Sequence, residues 1–164
     1  KNDLSELEAE KKQINLIEIL NRIIDFLEPN IEFKKQEFIT DYASNEIYVY
    51  ADPRLMETAL RNIVANAVKF TQASGKIFIR VYKKEDQTVV EIEDTGIGMD
   101  EQTIDTLFNY KLNNKGISHD ENSMGIGLPM SKEFLDKNNS SIEVNSEVGK
   151  GSKFVITIWP VKSN

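Results

Sequence analysis

The chain contains no cysteine. That excludes a disulfide framework and any thiolate metal site, and it is compatible with a reducing interior. Histidine is nearly absent too: His119 is the only one, so a multi-histidine metal centre is excluded. It sits in a polar stretch with no helical carboxylate partner and reads as a solvated loop residue. No apolar run approaches the roughly 20 residues that a membrane-spanning helix needs. Positive charge is the minority sign, with 20 Lys and Arg against 27 Asp and Glu and a net charge of −7. The basic residues are scattered, so the clustered footprint of a nucleic-acid binder is missing. The acidic, helical N-terminus is no signal peptide. It lacks an initiator Met, as an excised fragment would.

What is present suits one globular domain. The 164 residues are 40% hydrophobic and 29% charged, enough for a sizeable core. Residues 1–12 are mostly charged and read as the end of a preceding helical region or a linker, with the domain proper over 13–164. Leu16, Ile19, Leu20, Ile23, Ile24 and Leu27 recur at helical spacing, and Pro29 is expected to end that helix or follow its last turn. Residues 36–42 and 46–50 alternate as strands do around a polar break at Ala43-Ser44-Asn45. Asp52-Pro53 reads as N-cap and first helical residue, followed by an apolar stripe from Leu55 to Val68. Residues 76–84 and 88–94 form a predicted hairpin whose second strand puts Asp94 on the core-facing register. A short helix over 103–108, a long polar loop, a helix over 126–138, and strands over 141–144 and 153–161 complete the pattern. It is α+β: a two-layer sandwich, a mixed sheet of about five strands covered on one face by about three helices.

The chemistry lies in four blocks. In Asp94-Thr95-Gly96-Ile97-Gly98, a core-facing carboxylate needs a partner, because burying it alone is costly. The exocyclic amine of adenine is a fitting one, and Gly96 and Gly98 allow close approach. Asn66 is a poor choice for mid-helix but a good hard-oxygen ligand for Mg²⁺, which keeps several waters and binds through substrate phosphates. Asn62, one turn earlier, can take a phosphate or a ligand water, and Lys69 can reach phosphate oxygens as a mobile point charge. Phe70 is either core or a flank for the base. Gly125 and Gly127 bracket a helix start, where N–H groups and the macrodipole favour anions, followed by Leu128. The polar segment before them reads as a hinged, mobile lid carrying Lys111 and Lys115.

The order of these blocks resembles the catalytic ATP-binding domain of bacterial sensor histidine kinases, within the superfamily of gyrase, mismatch-repair and heat-shock-chaperone ATPases. The resemblance covers about residues 13–161. It implies Mg-ATP as ligand, with Asn62, Asn66, Lys69 and Phe70 at the metal and phosphates. Asp94, Gly96 and Gly98 would read adenine, Phe108 would belong to the lid, and Gly125, Gly127 and Leu128 to the second glycine box. The Ser152 hydroxyl would lie near the Asp94–adenine contact. It also implies phosphoryl transfer to a histidine on a separate dimerisation domain and a response-regulator receiver downstream. The resemblance further implies a cytoplasmic setting, with no nucleic-acid or membrane contact expected of this chain and a parent that can be membrane-anchored.

Three departures accompany it. The usual phosphoacceptor histidine is absent, so this chain should not autophosphorylate. The lid box Phe108-Asn109-Tyr110-Lys111 lacks its common second Phe, and Ser140-Ser141 stands where two glycines are frequent. Competing readings are an ATPase, a stand-alone serine kinase that binds a sigma factor, and a non-catalytic nucleotide-binding module. The ATPases of the superfamily place a general-base Glu where this chain has Asn62; Glu57 is the nearest substitute.

Overall fold

Strict alternation of Ile77, Ile79 and Val81, and of Val90, Ile92 and Asp94, puts one face of a hairpin into the core. In the computed structural model, which describes residues 7–108 and 127–161, that hairpin is the centre of the sheet. In chain order the elements are β1 (Lys12–Asn15), α1 (Leu16–Phe33), β2 (Glu37–Tyr42), β3 (Tyr48–Ala51) and α2 (Pro53–Phe70). There follow β4 (Lys76–Lys84), β5 (Gln87–Asp94), α3 (Glu101–Thr106), α4 (Gly127–Asp136), β6 (Ser140–Glu147) and β7 (Gly151–Ile158).

The main sheet has the strand order β2-β4-β5-β7-β6. Only the β2–β4 pair is parallel; the other three are antiparallel. The sheet is therefore mixed, as expected. The parallel pair exists because β3 and α2 lie between its strands in sequence, and a crossover of that length is what parallel pairing requires. β1 and β3 pair with each other as a separate antiparallel ribbon. The two strand-like segments around Ala43-Ser44-Asn45 thus belong to different sheets.

α1, α2 and α4 bury their apolar stripes against one face of the main sheet, with α2 in the middle. Leu60, Ile63 and Val64 of α2 are fully buried there, and truncating Ile63 to Ala would cost about 2–5 kcal/mol. The other face is polar and charged: Arg80 bridges Glu91 and Glu93, and Lys153 bridges Glu91.

The helix starts follow from side-chain caps. Asn15 Oδ1 accepts from the Ile17 N–H at the start of α1. Asp52 Oδ1 accepts from Arg54 and Leu55 at the start of α2, with Pro53 in the first helical position.

Pro29 does not end α1, which runs through it to Phe33. The proline removes one N–H donor and its ring crowds the Asp25 carbonyl, and burial of Leu27 and Ile31 on either side holds the helix across the gap. Asn139 supplies the positive φ, 53°, at the turn between α4 and β6. Asn tolerates that conformation, so the serines at 140 and 141 need not be glycine.

The chain enters and leaves at one end of the sheet. Lys11 and Val161 line the same surface cavity of about 520 Å³, together with Asp86 of the β4–β5 turn. Asp94 and Ser152 are paired at the opposite end of the β5–β7 ladder.

Candidate functional site

The middle and last turns of α2 and the segment that leaves β5 carry the site. Asn62 and Asn66 are half-buried on α2, and Lys69 is exposed with its Nζ 5.2 Å from the centre of the half-buried Phe70 ring. Asn62 is fixed from the neighbouring helix. The buried Ser131 hydroxyl of α4 commits its proton to Gly127 O at 2.7 Å, so toward Asn62 it can only accept. The Asn62 Nδ2 donates to it at 3.2 Å, which turns Oδ1 away from α4 as the end left for a ligand. Among the described residues the Asn66 amide has no hydrogen-bond partner.

Asp94 is buried where β5 ends. Its Oδ1 accepts the Gly96 N–H at 2.8 Å and the Ser152 N–H at 3.3 Å. No described residue donates to Oδ2. Burial pushes the carboxyl above the usual aspartate range, and this outweighs the pull of the two N–H donors in the other direction; Glu93 adds to the rise. A buried carboxylate with one unserved oxygen is an acceptor for an N–H from outside the chain.

The loop after Asp94 is pinned on both sides. Ile97 N–H donates to Phe70 O at 3.2 Å, so the end of α2 seats the loop, and Gly149 N–H donates to Ile97 O at 2.8 Å. Gly98 has φ of +71°, and a Cβ there would collide with the Glu147 carbonyl. Gly151 has φ of +102°, and a Cβ there would run into the Asp94 carbonyl. Both positions demand glycine for conformation and for room.

Ser152 meets Asp94 through its backbone N–H, while its hydroxyl lies 2.7 Å from the Ser146 hydroxyl. Leu128 is fully buried in the core, so what it offers the site is its backbone. Gly127 opens α4 beside Asn62, and Phe108 is half-buried against the core. Gly125, Lys111, Lys115, His119 and the expected mobile lid of 109–126 lie outside the described residues. Glu57 is held by Arg22, whose Nη2 is 2.8 Å from its Oε1, on a different face of α2 from Asn62.

Three residues of the site carry no signal that motif reading weighs. Ser131 orients Asn62; its trace is its position four residues after Gly127. Ser146 accepts the Met99 N–H at 2.8 Å and so fastens the same loop to β6. Ile97 leaves 59% of its surface exposed beside the buried carboxylate, an apolar side chain that a flat ring can lie on.

The donor set fits a nucleotide with a hard divalent cation. A buried carboxylate oxygen suits a base amine, while amide oxygens and one ammonium suit phosphates and Mg²⁺. Among the described residues no cluster of three His, Cys, Asp or Glu could hold a metal by itself, so such an ion would depend on amide oxygens and on the phosphates. No described helix is long and apolar enough to cross a membrane.

The chain is similar to known proteins over most of its length. Residues 51–162 match the family described as histidine kinase-, DNA gyrase B-, and HSP90-like ATPase. The circadian input-output histidine kinase CikA of Synechococcus elongatus is 30% identical over 165 residues, covering 96% of this chain and 22% of that protein. Sensor histidine kinase YclK of Bacillus subtilis is 30% identical over 150 residues, covering 90% and 31%. The chain therefore spans only about a fifth to a third of the length of these relatives. The catalytic domain of histidine kinase ThkA shares the fold, with a TM-score of 0.79 at 21% identity over 94% of this chain and 99% of that one. ThkA is also known in complex with the response regulator protein TrrA, where the likeness has a TM-score of 0.73 at 20% identity over 92% and 42% of the two chains. The chain belongs to the histidine kinase-, DNA gyrase B- and HSP90-like ATPase family.

Proposed function

We propose that this domain binds Mg-ATP and presents the γ-phosphoryl group to a histidine on a separate dimerisation domain. The phosphoryl group would pass on to a response-regulator receiver. Residues 1–12 would be the end of the preceding helical region or a linker, and 13–164 the catalytic domain. A domain that consumes ATP belongs in the cytoplasm.

The observation that carries the reading is Asp94: a buried carboxylate whose Oδ1 is served by two backbone N–H groups and whose Oδ2 is left for the adenine amine. Gly96 and Gly98 shape the loop beside it, and Phe70 and Ile97 offer apolar surface to the base. Asn62 and Asn66 would hold Mg²⁺ and phosphate oxygens, with Lys69 and the α4 start at Gly127 as further anion partners; Gly125, Phe108 and the Ser152 turn complete the set. Bound there, Mg²⁺ would neutralise the charge that develops on the phosphates. The protein's part is to orient the nucleotide and supply fixed donors, since phosphoryl transfer depends mainly on positioning and electrostatics.

Hydrolysis as the main task is disfavoured. Asn62 stands where a general-base Glu would be needed, and Glu57 is engaged with Arg22. No observation favours the sigma-factor kinase or the non-catalytic module.

Calorimetric titration of ATP, with and without Mg²⁺, into the wild type and Asp94→Asn tests the binding step. Mg²⁺-dependent binding that the variant loses supports the reading, and absence of binding by the wild type overturns it. Phosphate transfer from labelled ATP to an added histidine-bearing dimerisation domain tests the reaction.

A further inference from the structure

We propose that Lys34, which lies outside the four sequence blocks, is a positioning residue for the nucleotide site. It clamps the C-terminus of α2 and so leaves Lys69 available to the phosphates. The inference rests on the reading of that helix end as part of the nucleotide site.

A helix ends with carbonyls that have no N–H partners and with the negative pole of its dipole. In α2 nearly every one of these groups has a partner from outside the helix. Lys34, the residue that caps α1, sends its Nζ to Val68 O at 3.0 Å, Lys69 O at 2.9 Å and Thr71 O at 3.0 Å. An ammonium has three N–H donors, and here all three are used. Phe70 O, the carbonyl that Lys34 does not take, receives the Ile97 N–H of the Asp94 loop. The Lys34 backbone joins in, since its carbonyl accepts the Ser74 N–H at 2.9 Å and so holds the turn that follows the helix. Gln36 reinforces the grip, its Nε2 donating to Val68 O and Thr71 O at 2.9 Å each.

Two consequences follow. The Asp94 loop hangs on Phe70 O, so the position of that carbonyl depends on the clamp to either side of it. Lys69 is the one basic residue in the last turn of α2 and would be the natural cap for its carbonyls. With Lys34 in that role, the Lys69 ammonium lies over the Phe70 ring, from which it can swing to a phosphate. The Lys34 charge also offsets the negative helix pole beside a polyanionic ligand.

The test compares wild type, Lys34→Met and Lys34→Arg in two measurements. Amide exchange is followed at Thr71, Ile97 and Phe154 without nucleotide, and ATP affinity is measured by calorimetry. In Lys34→Met, exchange at Thr71 and Ile97 should quicken, and ATP affinity should fall by about five- to tenfold, near 1–1.4 kcal/mol, because the Asp94 loop and Lys69 lose their set positions and not because a contact to the nucleotide is lost. Phe154, in the sheet, should stay protected, and Lys34→Arg should recover most of both losses. Unchanged exchange at Ile97 in Lys34→Met overturns the proposal; so does protection falling equally at Phe154, which would mean general destabilisation. If Lys34→Met does not fold, Lys34→Gln is judged by the same criteria. Should the wild type bind no ATP, the proposed function falls on its own, while the exchange data still decide whether Lys34 holds the helix end and the loop.

Discussion

Ser152 donates its backbone N–H to Asp94 Oδ1 at 3.3 Å, and the same two residues face each other in the β5–β7 ladder. The bond joins positions 58 residues apart in sequence. It turns a strand register into the orientation of a carboxylate, because a shift of β7 by one residue would move this donor away and turn the whole strand over.

Asp94→Asn should weaken ATP binding by about ten- to a hundredfold, the cost of replacing a charged acceptor by an amide that also presents donors. It should not lower the melting temperature. Burial raises the folded-state pKa of Asp94, so at neutral pH the ionised carboxylate is a burden on the fold that Asn removes. Calorimetry and thermal unfolding of the same sample check both halves.

Nucleotide affinity should depend on pH with a defined sign. Protonation of Asp94 removes an acceptor lone pair, so affinity falls as pH is lowered. Because burial has raised this pKa, the fall should begin above the ordinary aspartate range. The folded protein holds this proton more tightly than the unfolded chain does, so the Asp94 contribution to stability decreases as pH rises through the same window. Titrations across the acidic range should show the affinity loss in the wild type and not in Asp94→Asn.

Asn66→Ala should separate metal from base. ATP affinity with Mg²⁺ should fall by about tenfold, near 1.4 kcal/mol, while binding measured in excess chelator stays within about twofold of wild type. Equal losses under both conditions would mean that Asn66 acts on the nucleotide and not through Mg²⁺.

Gly98→Ala should cost about 2 kcal/mol or more of stability or binding, from a positive φ combined with collision against the Glu147 carbonyl. Gly149→Ala also has a positive φ but open space around the new Cβ, and its cost should be smaller. Unfolding midpoints of the two variants, compared side by side, check the difference.

Asp52 is a test of the frame. Burial raises its pKa, but N–H donors from Glu10, Leu55 and Arg54 lower it further, for a net decrease. The carboxylate therefore contributes stability above the ordinary aspartate range, and that contribution is lost as pH falls through the lowered pKa. Asp52→Ala should cost about 1–2 kcal/mol at neutral pH and less in acid, read from denaturant midpoints.

How legible all this was differs from residue to residue. The alternation in β4 and β5 and the apolar stripe of α2 come from local periodicity, and that periodicity alone places Asp94, Asn62 and Asn66 on their elements. The partners of those residues are non-local. Ser131, Ser146 and Lys34 are ordinary polar residues whose meaning depends on which helix end or loop the fold brings next to them, and no short-range pattern encodes that. Pro29 misled because its local preference was outweighed by tertiary burial of its neighbours in α1. The pairing of β3 with β1, and not with β2, is likewise a choice made by the whole core.

The placement of Lys11 and Val161 at one end of β5, with Asp94 at the other, makes the sheet a lever. Seven residue steps of strand span about 23 Å, so a tilt of about 10° at the point of attachment would carry the nucleotide end through about 4 Å by the same strand length. A misplacement of about 1 Å can cost a reaction that depends on positioning about a hundredfold. For the proposed transfer, turning the domain as a rigid body about that end would bring the phosphate donor into range or withdraw it, with no bond inside the nucleotide site being changed.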